Sequence, residues 1–262
     1  MAISVSCAGE TNVGRKRSHN EDNLLLYPER SLFIVADGMG GHACGEVASD
    51  MVVTTMRAYY ERAGEDADAT WPAREERGRS NSENMISAGI RWCNYTIWEK
   101  GQSDTKFKNM GTTVVAMHLD DEMVTIGWVG DSRVYRLRGG KLEQLTEDHS
   151  LLNEYKRMAA LTPEEEANFP HKNIIVRACG LKMDVQVDLV RDKPEVGDVY
   201  MLCSDGLSGE VTDEGLQQLM NDHLEDDQSD LQKMVSAMIQ TACDNGGKDN
   251  VTCIAVAIDT IL

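Results

Sequence analysis

Four times along the chain an apolar run breaks at an aspartate that has a glycine within two residues, at Asp37, Asp131, Asp205 and Asp249. One such junction is an ordinary Asp-Gly turn, and the stretch around Asp37 taken alone reads equally well that way. Four of them constrain the fold, because each calls for a buried strand that delivers a carboxylate to a sheet end. The first is the most complete. Leu32-Phe33-Ile34-Val35-Ala36 is apolar at every position, Asp37 follows, and Gly38, Gly40, Gly41 and Gly45 come next. Glycine there lets the backbone turn a main-chain carbonyl toward whatever Asp37 binds. The same turn, Gly38-Met39-Gly40-Gly41-His42-Ala43, also fits the G-x-G-x-x-A dinucleotide fingerprint. That reading fails on charge and on spacing. A carboxylate before the first glycine repels a pyrophosphate, and no second strand ending in an acidic residue follows about 20 positions on.

The remaining segments supply the elements such a site needs. Alternation over residues 3–9 predicts a first strand, and Thr11-Asn12-Val13-Gly14 a turn into the patch Arg15-Lys16-Arg17-Ser18-His19-Asn20-Glu21-Asp22. Cations followed at once by carboxylates suit a site that holds an anion beside a metal, although a solvated loop has the same look. Helical spacing of Val47, Ala48, Met51, Val52, Thr55, Met56 and Tyr59 predicts a core-facing helix that ends near Gly64. Residues 61–79 read as an exposed connection in which Trp71 is a packing anchor. Ser80-Asn81-Ser82-Glu83 is a capping box for a second helix striped by Ile86, Ile90, Cys93 and Ile97.

Residues 112–119, 123–129 and 133–137 read as one antiparallel meander, with Asp120-Asp121 and Gly139-Gly140 at its turns. Residues 147–172 then turn helical, with Thr162-Pro163-Glu164-Glu165 as a helix start, and form a candidate lid. His149 and His171 flank it and read as structural, as does His118. Strands resume at 174–176, 185–190 and 199–204; Asp213 caps a short helix, a stripe from Leu231 to Ala242 marks a longer one, and residues 251–258 form the last strand.

With 262 residues the chain buries a large core, and one domain is expected. The formal charge of -18, from 26 Lys and Arg against 44 Asp and Glu, argues against nucleic acid or an anionic membrane as a partner and favours divalent cations. Seven cysteines without a C-x-x-C suggest neither a disulfide framework nor a zinc ribbon, so a reducing cytoplasm is expected. Cys44, beside the glycine turn, is the one to weigh as redox-sensitive, and it too reads as a small apolar residue. No apolar run approaches the ~20 residues that span a bilayer.

Carboxylates gathered without Cys or His form a hard-oxygen site suited to Mg²⁺ or Mn²⁺. They repel one another and any anionic substrate unless divalent ions reverse the local charge, so the arrangement makes most sense holding two or more. Arg17-Ser18-His19-Asn20-Glu21-Asp22, Ala36-Asp37-Gly38-Met39-Gly40-Gly41-His42, Gly111-Thr112-Thr113, Val129-Gly130-Asp131-Ser132-Arg133, Asp148-His149-Ser150, Ser204-Asp205-Gly206-Leu207 and Lys248-Asp249-Asn250-Val251-Thr252 stand in the order found in metal-dependent protein phosphatases of the type 2C group. The chain resembles that family over nearly its whole length. The Met39-Gly40-Gly41-His42 turn and the Thr162-Pro163-Glu164-Glu165 segment are similar to its bacterial branch.

The resemblance implies an α+β fold in which two packed antiparallel sheets, a β-sandwich, are flanked by helix pairs in αββα layers. Residues 1–262 would be a single phosphatase catalytic domain, with a flap at about 150–172. It further implies that Asp37 bridges two metals, that Asp205 and Asp249 complete the first, and that the Gly38 carbonyl and, through water, Glu21 serve the second. Asp131 with Asp205 would hold a third, weaker ion, and Arg17 would bind the substrate phosphate. The implied activity is hydrolysis of phosphoserine and phosphothreonine in proteins by a metal-bridging water, with Asp37 and Arg17 as catalytic residues and Mn²⁺ or Mg²⁺ as cofactor. A monomer, phosphoprotein substrates and a cognate Ser/Thr kinase are the expected state and partners, and the alternative is a non-catalytic phosphatase-like module that binds phosphoproteins. Some relatives carry a histidine two residues after the bridging aspartate as general acid. Met39 stands there in this chain, which leaves the acid open between metal-bound water and His42.

Overall fold

The computed structural model describes residues 3–40, 44–65, 76–159, 161–167, 169–170, 174–224 and 230–261. The chain opens with β1 (Ile3–Asn12), β2 (Asp22–Tyr27) and β3 (Leu32–Met39), followed by the long helices α1 (Gly45–Glu65) and α2 (Asn81–Ser103). The strands β4 (Gly111–Thr112), β5 (Val114–Leu119), β6 (Val124–Val129), β7 (Arg133–Arg138) and β8 (Lys141–Gln144) come next. Two short helices, α3 (Leu151–Met158) and α4 (Pro163–Ala167), precede β9 (Asp188–Asp192) and β10 (Val199–Cys203). The chain closes with α5 (Asp205–Ser208), α6 (Asp213–Leu224), α7 (Leu231–Asn245) and β11 (Val251–Ile261). One sheet has the order β1-β11-β10-β7-β8, and the other β2-β3-β5-β6-β9 with β4 added to the end of β3. Every pairing between them is antiparallel.

The apolar run at 32–36 has a direct explanation in this layering. Leu32, Ile34 and Ala36 pack with Ala48, Val52 and Met56 of α1 and Ile86, Ile90 and Ile97 of α2. Phe33 and Val35, on the opposite face, pack with Val115, Tyr200, Leu202, Ile254 and Val256 between the sheets. A strand covered on both faces has no polar positions to alternate with. A third core joins Tyr135, Met201 and Cys253 to Leu216 and Met220 of α6 and to Met234, Val235 and Met238 of α7. The expected helix–sheet–sheet–helix order is therefore the observed one, and each fully buried Ile, Leu or Met contributes roughly 1.5–3 kcal/mol to it. Helix α2 opens on the expected capping box, with Glu83 N–H donating to Ser80 Oγ at 3.2 Å and Ser80 N–H to Glu83 Oε2 at 2.8 Å.

Several expectations need correction. The strands at 112–119, 123–129 and 133–137 do not form one meander: β5 and β6 belong to one sheet and β7 to the other. The crossing is Gly130-Asp131-Ser132, where Gly130 takes φ +118 and a Cβ would lie 2.6 Å from Thr113 Cβ. Residues 174–176 are not a strand; Ile175 makes only an isolated bridge to Ser150 at the base of the helical insertion. Asp213 is the first residue of α6, and Thr212 caps it, its hydroxyl accepting from Gly215 N–H at 3.2 Å. β8 was not anticipated, because four residues of mixed polarity on a sheet edge carry no periodic signal. Trp71, His42 and His171 lie outside the described residues, as does part of the expected 150–172 insertion.

Candidate active site

Strand ends from both sheets meet at one edge of the sandwich. Asp37 lies opposite Asp22 across the β2/β3 register, and Asp205 starts α5 at the end of β10. Asp249 leads into β11, and Asp131 sits on the crossing between the sheets. Arg17, Glu21, Asp37, Gly38, Asp205 and Asp249 line one cleft of about 490 Å³, together with His19, Met39 and Ile175. Asp131 is not on that wall. It lines an adjoining cavity of about 820 Å³ with Arg133, Asp148, Leu152 and Lys156, and Asp205 belongs to both.

Hydrogen bonds on both sides of its peptide hold Asp37 in place. Its carbonyl accepts from Thr113 N–H at 2.8 Å and from Thr112 Oγ1 at 2.9 Å, and its N–H donates to Thr113 Oγ1 at 3.0 Å. The next residue is squeezed: a Cβ at Gly38 would stand 2.1 Å from the Gly45 carbonyl oxygen, and one at Gly45 would stand 2.8 Å from the Glu21 carboxyl carbon. Glu21, Gly38 and the first turn of α1 therefore meet only because two of the three lack side chains. Asn250 ties the two ends of the chain together here, accepting from Glu21 N–H at 2.8 Å and donating to the Val13 and His19 carbonyls at 2.9 and 2.8 Å. At the rim, Arg17 Nη2 donates to Asp249 Oδ2 at 2.6 Å.

The electrostatics are lopsided. Burial first, then Asp22, Asp205, Asp131 and Asp249, push the Asp37 carboxyl well above the carboxylate range. Burial raises Asp131 to about 7, with Asp205 and Asp148 adding to it. Asp205 is raised by burial and by Asp249, offset in part by Asp37. Asp22 is raised to about 6 by burial, against hydrogen bonds donated to its Oδ2 by Thr252 Oγ1 at 2.6 Å and Ser204 Oγ at 2.8 Å. Sequence reasoning passed over Asp22 as part of the patch before β2. Its two hydroxyl partners sit in the motifs around Asp205 and Asp249, far along the chain, so only the fold reveals the connection.

The donor set fits a hard divalent cation. Asp22 Oδ1, Asp131 Oδ1 and Asp205 Oδ1 are buried with no hydrogen-bond partner among the described residues, an arrangement that disfavours the charged acids unless a cation joins them. No cysteine among the described residues lines the cleft. No three of His, Cys, Asp and Glu among the described residues close on one point as a preformed cage. An open wall of carboxylates is what Mg²⁺-like ions take, since they keep several waters and use few protein ligands. Two of the three histidines expected to be structural are so placed: burial lowers His118 to about 4 on β5, and His149 is fully enclosed, while His171 lies outside the described residues. Cys44 is buried, its thiol donating to the Lys106 carbonyl at 3.1 Å. No helix among the described residues is long and apolar enough to cross a membrane.

Comparison with known proteins places this geometry in context. Residues 11–254 match the family described as protein phosphatase 2C. The serine/threonine phosphatase stp of Listeria monocytogenes is 35% identical over 252 residues, covering 95% of this chain and 94% of the relative. Protein phosphatase PhpP of Streptococcus pneumoniae is 32% identical over 252 residues, covering 95% and 96%. Among solved structures, the Mycobacterium tuberculosis serine/threonine phosphatase PstP/Ppp superposes with a TM-score of 0.83 at 29% identity, over 99% of this chain and all of the other. A PstP catalytic domain in complex with two manganese ions gives 0.79 at 28% identity, over 99% of this chain and 100% of that one.

Proposed function

The chain belongs to the protein phosphatase 2C family and is a metal-dependent serine/threonine protein phosphatase; we propose that the acidic cleft described above is where it removes phosphate from phosphoserine and phosphothreonine. The observation that carries this reading is the gathering of buried carboxylates, three of them with an oxygen unpartnered among the described residues, beside Arg17 at the rim of the cleft. Asp37, Asp205 and Asp249 would hold a first Mn²⁺ or Mg²⁺. Asp37, the Gly38 carbonyl and, through water, Glu21 would hold a second. Asp131 with Asp205 would hold a third and weaker one. When bound, such ions lower the pKa of a water and neutralise charge on the phosphoryl oxygens.

The chain's own residues then bind and orient. Arg17, half exposed and already drawn to the cleft by Asp249, offers its free guanidinium edge to the equatorial oxygens of the phosphate. Asp22, with one oxygen held by Ser204 and Thr252, stands behind Asp37 across the β2/β3 register as a further buried carboxylate. Water attacks phosphorus directly and no phosphoryl-enzyme forms, so an acid quench during turnover leaves no labelled phosphate on the protein. Residues 1–262 act as one catalytic domain, with residues 150–172 as its flap. The substrates are phosphoproteins, with a cognate Ser/Thr kinase as the opposing activity. The setting is a reducing cytoplasm, consistent with seven free cysteines, and the working form is a monomer.

The test is phosphate release from a phosphothreonine peptide with Mn²⁺ and with EDTA, on the wild type and on Asp205→Asn. Loss of release with EDTA, and a drop of about a thousandfold in the variant, is the expected result. A folded Asp205→Asn protein that turns over normally would remove the carboxylate wall from the chemistry.

A further inference from the structure

Of the Asp148-His149-Ser150 motif, Asp148 lines the cavity that holds Asp131, and His149 has no part in the site as assigned so far. Its side chain is fully buried, and its ring lies nearly parallel to Trp128, at 12° with centroids 6.1 Å apart. Nδ1 accepts the Gly130 N–H at 3.0 Å, which places the ring proton on Nε2, toward Asp188; Arg177 Nη1 also lies 3.0 Å from Nε2, where that tautomer offers it no acceptor and Asp188 takes its proton instead. Nε2 faces Asp188 Oδ2 at 3.1 Å, and Arg177 Nη1 stands against the same carboxylate, 2.8 Å from Oδ1. The main chain repeats the grip: His149 N–H donates to the Gly130 carbonyl at 2.9 Å. Gly130 is therefore held by both of its polar groups, one through the imidazole and one through the backbone.

The next residue after Gly130 is Asp131. On its other side, His149 carries the base of the helical insertion. Its carbonyl accepts from Val176 N–H at 2.8 Å, Ser150 bridges to Ile175, and Leu151 N–H donates to the Ile174 carbonyl at 2.8 Å. Ser150 is also the N-cap of α3. One buried ring thus joins the sheet crossing that bears Asp131 to both strands of chain entering and leaving the insertion.

We propose that His149 is a positioning residue for Asp131, coupling the base of the flap to the carboxylate that faces Asp205 across the adjoining cavity. The proposal rests on the reading of Asp131 as a ligand of the weaker ion. Groups that orient a ligand without touching the metal typically change affinity or activity by about 10–100-fold when removed. A residue that merely filled space would be replaced without loss by any side chain of similar volume.

Two isosteric changes separate these cases. His149→Asn puts an acceptor where Nδ1 stands and gives up the contact with Asp188. His149→Gln keeps an amide near the Nε2 position and gives up the acceptor for Gly130. The readouts are amide hydrogen exchange at Gly130, Mn²⁺ binding by calorimetry, and turnover against Mn²⁺ concentration. In His149→Gln the Gly130 amide should exchange faster by about tenfold, the weakest Mn²⁺ event should weaken by roughly tenfold, and the tighter events should be unchanged. His149→Asn should restore most of each. Should His149→Gln fail to fold, Asp188→Asn serves in its place: it leaves the ring but frees the proton to move to Nδ1, and should shift the same readouts in the same direction. Asp131→Asn provides the reference. If it weakens the last Mn²⁺ event while His149→Gln does not, or if the Asn and Gln variants behave alike, the coupling is wrong. If Asp131→Asn itself leaves every Mn²⁺ event unchanged, the weaker-ion reading fails, and this proposal with it.

Discussion

Strand β10 has an aspartate just beyond each end, and the two ends are solved in opposite ways. At its start, Asp198 is gripped by Arg138 through Nε at 2.7 Å and Nη2 at 2.6 Å, and accepts from Glu195 N–H at 2.7 Å. Its neighbour Asp192 accepts from Arg136 at 2.6 Å and from Tyr200 Oη at 2.6 Å. At the far end Asp205 meets Asp249, Asp37 and Asp131, and one of its oxygens has no partner among the described residues. Both ends gather acids on the same strand. The first end matches its acids with Arg136 and Arg138, whereas the second has Arg17 and Arg133 against a larger cluster, and a cluster left short of cations is arranged around charge that must come from solution.

The largest effect that would break this contrast is in activity. Asp37→Asn should abolish phosphatase turnover by about a thousandfold, while the unfolding free energy of the chelated protein stays level or rises, because a buried like-charge neighbour has gone. Denaturant melts beside kinetic assays decide it, and a variant that unfolds easily would show the cleft to be structural. The opposite end should give the reverse result. Asp198→Asn, which takes from Arg138 its buried bidentate partner and leaves it Glu195 at 3.0 Å, should lower stability by about 1–2 kcal/mol and leave kcat/KM within about twofold.

The smallest effect sharpens the comparison through pH. The folded chain holds protons at Asp131, raised to about 7, and at Asp37, raised well above its ordinary value by burial, more tightly than the unfolded chain does. That stability is full at low pH and is lost as pH rises through those values. His118, lowered to about 4, acts in the other direction, but its contribution is complete by its ordinary 6.5. From pH 6.5 to about 7 the chelated protein should therefore become less stable, by up to about 1.4 kcal/mol per pH step of one for each proton the folded chain still holds, with the Asp131 part of the slope spent beyond that. Mn²⁺ should remove the slope. Thermal melts in EDTA and in Mn²⁺ measure it, and an unchanged slope with Mn²⁺ would separate the raised carboxylates from the ions.

How much of this was legible in the chain follows from how far apart the partners lie. Asp37, Asp205 and Asp249 were readable because each is announced by its own apolar strand and glycine. The layer order was readable for the same reason: the run at 32–36 leaves no polar face, and the stripes of α1, α2 and α7 name their buried sides. Asp131 was found, but not the change of sheet it rides on, since apolar alternation at 124–129 and 133–138 is the same whichever sheet receives the strand. Asp22 was missed because Ser204 and Thr252 are brought to it only by tertiary structure. Residues 174–176 are apolar and β-branched, and read as a strand, yet they serve as the base of the insertion. Local propensity carries no information about what a segment will be set against.

The longest-range pairing has a consequence in time. β1 is an edge strand whose sheet neighbour is β11, paired from Ile3 opposite Ile261 to Asn12 opposite Val251 with one register shift between Ser4 and Val5. The loop bearing Arg17 hangs from the first of these strands, and Asp249 leads into the second. A ribosome that has delivered Asp37, Asp131 and Asp205 has delivered carboxylates and a partial core, with β1 still waiting for its partner. The cleft is completed only when residues 251–261 have been made and can pair with β1, so its carboxylates come together as one late event rather than one after another as the chain emerges.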